Sequence, residues 1–154
     1  MSNSALLVVA HAPLASSLAA VATHVYPECL GEGDLTVLDV DPALSGDKVL
    51  ELVSAAIRSL GERDVLVLTD VQGATPCNAA RLAVDGVHSR VLAGVNVPML
   101  WRALCYRNRP LAELEPLAME GGTRGVMHVP REQAPQNQSS PIARHDQVEH
   151  RHQQ

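Results

Sequence analysis

Two polar side chains follow apolar runs that are typical of buried strands, and their types suit phosphoryl transfer. His11 comes directly after ALLVVA at residues 5–10, and Asp70 comes directly after DVLVLT at residues 64–69. A carboxylate that accepts one ring N–H of a histidine sets the tautomer and leaves the other ring nitrogen as a nucleophile. If the two strands are neighbours, His11 and Asp70 face one another at the carboxyl ends of the sheet, where ligands bind in open parallel sheets.

The loop after Asp70 has the composition of an anion site. Its small residues are Gly73, Ala74 and Thr75. A proline follows them and predicts the start of a helix, whose backbone N–H groups form a site for an anion. A nucleophilic nitrogen, a carboxylate that holds it and an anion cradle together indicate a phosphoryl group carried on His11. Each feature also has a plainer interpretation: His11 as a loop or capping residue, Asp70 as a helix cap, and the loop as an ordinary turn.

Alternating strands and helices are predicted to position these residues. Short runs rich in Val and Leu predict strands at residues 5–10, 35–40, 64–69 and 89–93. Helical spacing predicts helices after Pro13 and at residues 47–60, 76–84, 98–106 and 111–119. We therefore expect an α/β fold, a doubly wound parallel four-stranded sheet with helices on both faces.

The pattern changes near the end of the chain. Residues 120–125 (EGGTRG) are predicted as a Gly-rich turn, and Val126 to Val129 as a late strand. A strand with no helix after it needs an edge to pair with, so we expect it to lie antiparallel and to be exchanged in a dimer. From residue 131 the chain is polar. We thus expect a folded domain at residues 1–130 and a disordered polar tail at 131–154.

Composition excludes several functional classes. The net charge is −5 with no basic run, and the chain has no Phe and one Trp, which argues against nucleic-acid binding. The apolar stretch at residues 5–22 contains His11 and Pro13 and no basic residue precedes it, so we expect neither a signal peptide nor membrane insertion.

The cysteine and histidine spacing points to a reducing compartment and to no bound metal. The three cysteines are Cys29, Cys77 and Cys105. An odd, irregular set favours the cytoplasm over a disulfide framework. The histidines outside the tail other than His11 are His24, His88 and His128, without the spacing of metal ligands. We expect no metal and no cofactor.

Three motifs resemble those of the mannose-family EIIA domains of the bacterial sugar phosphotransferase system. TDVQGATPCNAA (69–80) resembles Asp-x-x-Gly-Gly-Ser/Thr-Pro-x-Asn-x-Ala, and LAGVNVPML (92–100) is similar to Ala-Gly-Val-Asn-Ile/Leu-Pro-Met-Leu. VVAHA (8–12) is similar to the His-Gly signature, and EGGTRGVMHV (120–129) to the last strand of the family.

The resemblance implies a phosphotransferase component. His11 would accept a phosphoryl group on Nε2 from the histidine phosphocarrier protein and pass it to an EIIB partner, which we expect to be another protein. Asp70 would hold the other ring nitrogen. The family pattern also implies a homodimer that exchanges the strand 126–129.

The chain departs from the family pattern at three positions. Ala12 and Ala74 replace glycines, and Cys77 replaces a Phe. If either Ala needs a positive φ, it is strained by about 1–2 kcal/mol. These departures motivate a second hypothesis, a catalytically silent regulatory or binding module.

Two further hypotheses place phosphate chemistry on the same class of fold. The phosphotransfer subunit of dihydroxyacetone kinase shares the fold and the active histidine, although the GVNVPML stretch favours the mannose type. A receiver domain phosphorylated on Asp70 would need an acidic pair after the first strand and a lysine after the last. His11 occupies the first place, and the only lysine is Lys48 in the second helix.

Overall fold

The computed structural model describes residues 3–131, and the predicted tail lies outside them apart from Arg131. Within this range the chain alternates strands and helices. The strands are β1 (Ala5–His11), β2 (Leu35–Val40), β3 (Val65–Thr69) and β4 (Ser89–Ala93). The α-helices are α1 (Leu14–Val25), α2 (Gly46–Ser59), α3 (Thr75–Ala83), α4 (Val97–Cys105) and α5 (Leu111–Arg124). A 3₁₀ turn at Pro27–Cys29 follows α1.

The four strands form one parallel sheet in the order β2-β1-β3-β4. The chain leaves β1 in one direction to form β2 and then returns across β1 to form β3. The strand order therefore reverses between β1 and β3, and we call this place the switch point of the sheet. The carboxyl ends of β1 and β3 are neighbours there, and ligands of open parallel sheets bind at this position. The predicted parallel sheet is confirmed.

Helices cover both faces of the sheet, which explains the unbroken apolar run of β1. On one face Leu6 and Val8 pack among buried residues of α1, α4 and α5. On the other face Leu7 and Val9 pack among buried residues of α2 and α3. Ser45 caps α2 by accepting a hydrogen bond from the Lys48 backbone N–H at 3.2 Å.

The predicted turn at residues 120–125 is wrong, because α5 continues through the glycines to Arg124. The two glycines lie where α5 crosses α4. A Cβ on Gly121 would lie 2.5 Å from Cβ of Arg102, and a Cβ on Gly122 would lie 2.8 Å from Cε of Met99. The two glycines allow α4 and α5 to approach closely. This packing keeps them helical although glycine usually favours a turn.

The predicted late strand is not formed within the single chain. Residues 126–130 belong to no helix or strand. Val126, Met127 and Val129 have 69–80% of their surface exposed. An antiparallel partner for this segment, and its exchange between two copies, remain predictions.

Candidate active site

The structure brings His11 and Asp70 into contact at the switch point of the sheet. His11 is the last residue of β1, and Asp70 directly follows β3. Nδ1 of the His11 ring lies 2.6 Å from Oδ2 of Asp70. The expected contact between His11 and Asp70 is thus present. It depends on β1 and β3 being adjacent in the sheet, without β2 between them.

The Asp70 carboxylate accepts three hydrogen bonds. Oδ2 accepts the His11 backbone N–H at 2.8 Å as well as the ring nitrogen, and Oδ1 accepts the Val71 backbone N–H at 2.8 Å. Burial by itself would raise the pKa of Asp70. These hydrogen bonds outweigh burial and hold the pKa below its ordinary value. Asp70 is therefore an anion at neutral pH.

The ionised carboxylate sets the tautomer of His11. Because a carboxylate only accepts hydrogen bonds, the proton of a neutral His11 ring lies on Nδ1 and the lone pair lies on Nε2. The His11 side chain is 43% exposed, whereas that of Asp70 is 12% exposed. The nucleophilic nitrogen thus belongs to an accessible ring whose other side is anchored.

The loop from Gly73 to Thr75 leads into the N-terminus of α3. Gly73 has a φ of +90°, and its carbonyl accepts a hydrogen bond of 3.0 Å from the Asn78 side chain. Ala74 precedes the first residue of the helix and has a φ of −83°. Thr75 opens the helix, so its N–H is free of an intrahelical partner and is available to an anion.

The alanines that replace family glycines do not adopt a positive φ. Ala74 has an extended backbone, and no non-glycine residue in the described part of the chain has a positive φ, so Ala12 has none either. Only Gly73, in the same loop, needs the left-handed conformation. The strain that motivated a silent module is therefore absent.

Asp39 is a further acid at this edge of the sheet that the sequence did not assign to the site. It lies near the end of β2 and accepts hydrogen bonds from Oγ and the backbone N–H of Ser16, the latter at 3.1 Å. The Ser16 hydroxyl is the largest cause of a lowered pKa at Asp39. This pair ties the first turn of α1 to β2, on the side of His11 away from Asp70.

Asn96 anchors the entrance of α4 and is explained by the Val-Asn-Val-Pro motif. Its Oδ1 accepts the Met99 backbone N–H at 2.9 Å, which caps the helix. Its Nδ2 donates to the Gly122 carbonyl at 3.1 Å. The motif therefore joins α4 to α5 beside the carboxyl end of β4. The sequence signal that could have predicted the capping bond is an Asn just before the start of a helix.

The sequence assigned neither Cys77 nor His88 to the site, and neither side chain makes the His11–Asp70 contact. Cys77 is buried in the first turn of α3. His88 is at the opposite end of the sheet, with Nδ1 3.0 Å from Oδ1 of Asp64. Within residues 3–131 no group of three His, Cys, Asp or Glu side chains is arranged to hold a metal ion. In the same range, no helix is both long and apolar enough to cross a bilayer.

Comparison with known proteins identifies the family. The family model EIIA-man, the PTS system fructose IIA component, matches residues 5–115, which include His11, Asp70 and the loop at 73–75. The chain belongs to the EIIA-man family. The resemblance drawn from its motifs is therefore confirmed.

Curated proteins that are similar in sequence to this EIIA-man chain are components of the PTS. The mannose-specific EIIAB component of the PTS of Escherichia coli K12 is 39% identical over 93 residues, which are 58% of this chain and 29% of that protein. The chain thus spans under a third of the length of the curated relatives it matches.

Solved structures share the fold of this EIIA-man chain. The mannose/sorbose-specific IIA subunit from Enterococcus faecalis superposes with a TM-score of 0.76 at 24% identity, over 87% of this chain and 99% of that one. The IIA protein associated with the fucose utilization operon of Streptococcus pneumoniae superposes with a TM-score of 0.70 at 21% identity, over 82% and 93%.

Proposed function

We propose that this EIIA-man chain is a phosphocarrier that accepts a phosphoryl group on Nε2 of His11. The observation that carries the proposal is the contact of 2.6 Å between Nδ1 of His11 and Oδ2 of Asp70. It leaves the opposite ring nitrogen as the nucleophile on an exposed ring. A silent module has no need of an ionised carboxylate that orients an accessible imidazole.

The transfer exchanges one nitrogen–phosphorus bond for another. The Nε2 lone pair attacks the phosphorus of a phosphohistidine on the donor, the new bond forms in line, and the donor imidazole leaves. The His11 ring becomes positively charged as the bond forms, and the Asp70 anion stabilises that charge. In the loop of Gly73, Ala74 and Thr75, the Ala74 N–H donates to the Val71 carbonyl at 3.4 Å. The Thr75 backbone N–H is available to the phosphoryl oxygens and complements their negative charge.

The chemistry of the site and the family together suggest the partners. We propose the histidine phosphocarrier protein as the donor. We propose an EIIB protein as the acceptor, since the Escherichia coli relative named above is an EIIAB component. Both would act in the cytoplasm. That mannose-specific name also favours a role in a sugar system over the dihydroxyacetone kinase alternative.

We further propose a homodimer in which the segment 126–129 pairs with β4 of the other copy. Among residues 3–131, β4 is an edge strand of the sheet, since it pairs there with β3 alone. Beside it lies an open depression whose lining includes Val91, Ala93 and Met119. The segment 126–129 offers exposed apolar side chains, and within residues 3–131 its backbone belongs to no strand, so such an edge could pair with it.

The experiment is phosphorylation of the purified chain with phosphoenolpyruvate, enzyme I and the histidine phosphocarrier protein. We expect one phosphate per chain that is labile in acid and stable in base, as phosphohistidine is. His11→Ala is expected to take up none. His88→Ala is the matched control, because His88 also contacts a carboxylate through Nδ1 but lies at the opposite end of the sheet.

Three results would contradict the proposal. Wild-type protein that stays unlabelled with an active donor would favour the silent module. A label that survives in His11→Ala would place the phosphate elsewhere, and a base-labile label would indicate an acyl phosphate on a carboxylate.

A further inference from the structure

Two of the three cysteines lie in contact, although 76 positions separate them in the chain. The Sγ atoms of Cys29 and Cys105 are 2.8 Å apart, and both are free thiols. Cys29 ends the 3₁₀ turn after α1, and Cys105 is the last residue of α4. The odd count and irregular spacing of the cysteines did not predict this pair, because only the packing of α4 beside α1 creates it.

The backbone around the two thiols is held in place by neighbouring groups. Nη1 of Arg107 donates to the Cys29 carbonyl at 2.6 Å and to the Leu104 carbonyl at 2.8 Å, so one guanidinium bridges the two segments. The Tyr26 and Trp101 rings stack in parallel beside them, with centroids 5.0 Å apart. The thiols therefore face each other as part of the packed structure and do not meet by chance motion of a loop.

Small molecules have access to the pair. Cys105 is exposed and Cys29 is half-buried. Cys105 also lines an open groove of about 640 Å³ between α4 and α5. The third thiol, Cys77, is buried in the first turn of α3. Access thus separates the pair from the remaining cysteine.

We propose that Cys29 and Cys105 form a reversible intramolecular disulfide, with a small disulfide such as oxidised glutathione as the oxidant. This inference does not depend on the proposed phosphocarrier function. It concerns the opposite end of α4 from the active site, since α4 begins beside the carboxyl ends of the strands and ends at Cys105.

The oxidation proceeds by two thiol–disulfide exchanges. The Cys29 thiolate attacks one sulfur of oxidised glutathione, which gives a mixed disulfide and releases one glutathione thiolate. The Cys105 thiol then loses its proton and attacks Sγ of Cys29, which releases the second glutathione thiolate. The protein loses two hydrogens and two electrons, and one glutathione disulfide becomes two thiols.

The raised pKa of Cys105 suits this thiol to the second step. Burial and the neighbouring Cys29 raise the pKa of Cys105 to about 11, so Cys105 is protonated at neutral pH. Once Cys29 is in a mixed disulfide, its contribution to the raised pKa of Cys105 is removed. Cys105 then becomes easier to ionise at the moment when it must attack.

The test is a titration of the full chain in glutathione buffers of increasing oxidising strength, followed by alkylation under denaturing conditions and mass spectrometry. We expect the free thiols to fall from three to one, with Cys29 and Cys105 joined in one cross-linked peptide pair. The reduced protein is expected to return with dithiothreitol. The oxidised form should melt about 5 °C or more higher, since the bond closes a long loop.

Variants and the unfolded chain serve as controls. Cys77→Ser should form the same disulfide, whereas Cys29→Ser and Cys105→Ser should stop at a mixed disulfide with glutathione. In urea the wild-type disulfide should be disfavoured by about 100-fold in its equilibrium constant, because proximity is lost.

Three outcomes would overturn the proposal. The first is that all three thiols stay free throughout the titration. The second is a disulfide that involves Cys77 or a second chain. The third is a disulfide that forms as readily in urea as in the folded protein, because then the packing of α4 does not produce it.

Discussion

Replacing Asp70 with asparagine tests how far the carboxylate sets up His11. The amide has the same shape but one oxygen and one NH₂ group in place of two acceptors. The carboxylate accepts bonds on both oxygens: the His11 ring and backbone N–H on Oδ2, and the Val71 N–H on Oδ1. The amide satisfies only one of the two sides.

Either orientation of the introduced amide weakens catalysis or the fold around it. With its oxygen toward His11, the Val71 N–H loses its acceptor and the developing imidazolium loses its counter-charge. With its NH₂ toward His11, Nδ1 becomes an acceptor, the proton moves to Nε2, and the nucleophile is blocked. A hydrogen bond to a charged group contributes about 1.5–3 kcal/mol, which corresponds to a transfer rate lower by about 10- to 150-fold.

The assay is single-turnover transfer from the phosphorylated histidine phosphocarrier protein, followed by rapid quench in base to preserve phosphohistidine. Asp39→Asn is the matched control, because Asp39 lies at the end of the neighbouring strand and binds Ser16 instead of His11. We expect its rate to stay within about twofold of wild type. Urea unfolding of both variants checks that the fold is retained.

An Asp70→Asn protein that transfers at the wild-type rate would show that the carboxylate does not set up His11. If Asp39→Asn were slowed by the same factor as Asp70→Asn, the loss of any carboxylate at the carboxyl end of the sheet would slow transfer, and the specific contact to Nδ1 would not be the cause.

Three further predictions concern stability and assembly. Gly122→Ala should lower the free energy of unfolding, measured by urea denaturation, by about 1–3 kcal/mol. Gly46→Ala, which has open space at its Cβ, is the control and should change that free energy by less than about 1 kcal/mol. Equal effects of the two substitutions would contradict close packing of α4 against α5. Burial alone would raise the pKa of Asp34, but its hydrogen bonds and two guanidiniums lower that pKa. The ionised Asp34 therefore stabilises the folded protein above about pH 4, and this stabilisation is lost as the pH falls below that. The difference in unfolding free energy between wild type and Asp34→Asn should narrow toward about pH 3, and a difference that widens would contradict the lowered pKa. Proline at both Met127 and His128 should convert a wild-type dimer to monomer in sedimentation experiments, and a wild-type monomer at tens of micromolar would contradict the exchanged strand.

The order of strands and helices, the parallel sheet and the family were accessible from the sequence because they depend on local signals. The run ALLVVA is apolar at every position, and only a strand covered on both faces buries all of them, as the fully buried residues 5–10 of β1 show. His11 and Asp70 were found because chemistry in such a sheet lies at the strand ends.

Tertiary structure alone decided the features in which distant residues meet. The glycines at 121 and 122 predict a turn by composition, yet the approach of α4 keeps them helical. Cys29 and Cys105 carry no spacing signal, because only the packing of α1 against α4 makes them neighbours. The neighbourhood of β1 and β3, on which the His11–Asp70 contact depends, likewise follows from the direction of the crossovers. A sequence pattern reports which face of an element is apolar, whereas the element that will cover that face is determined only when the whole chain has packed.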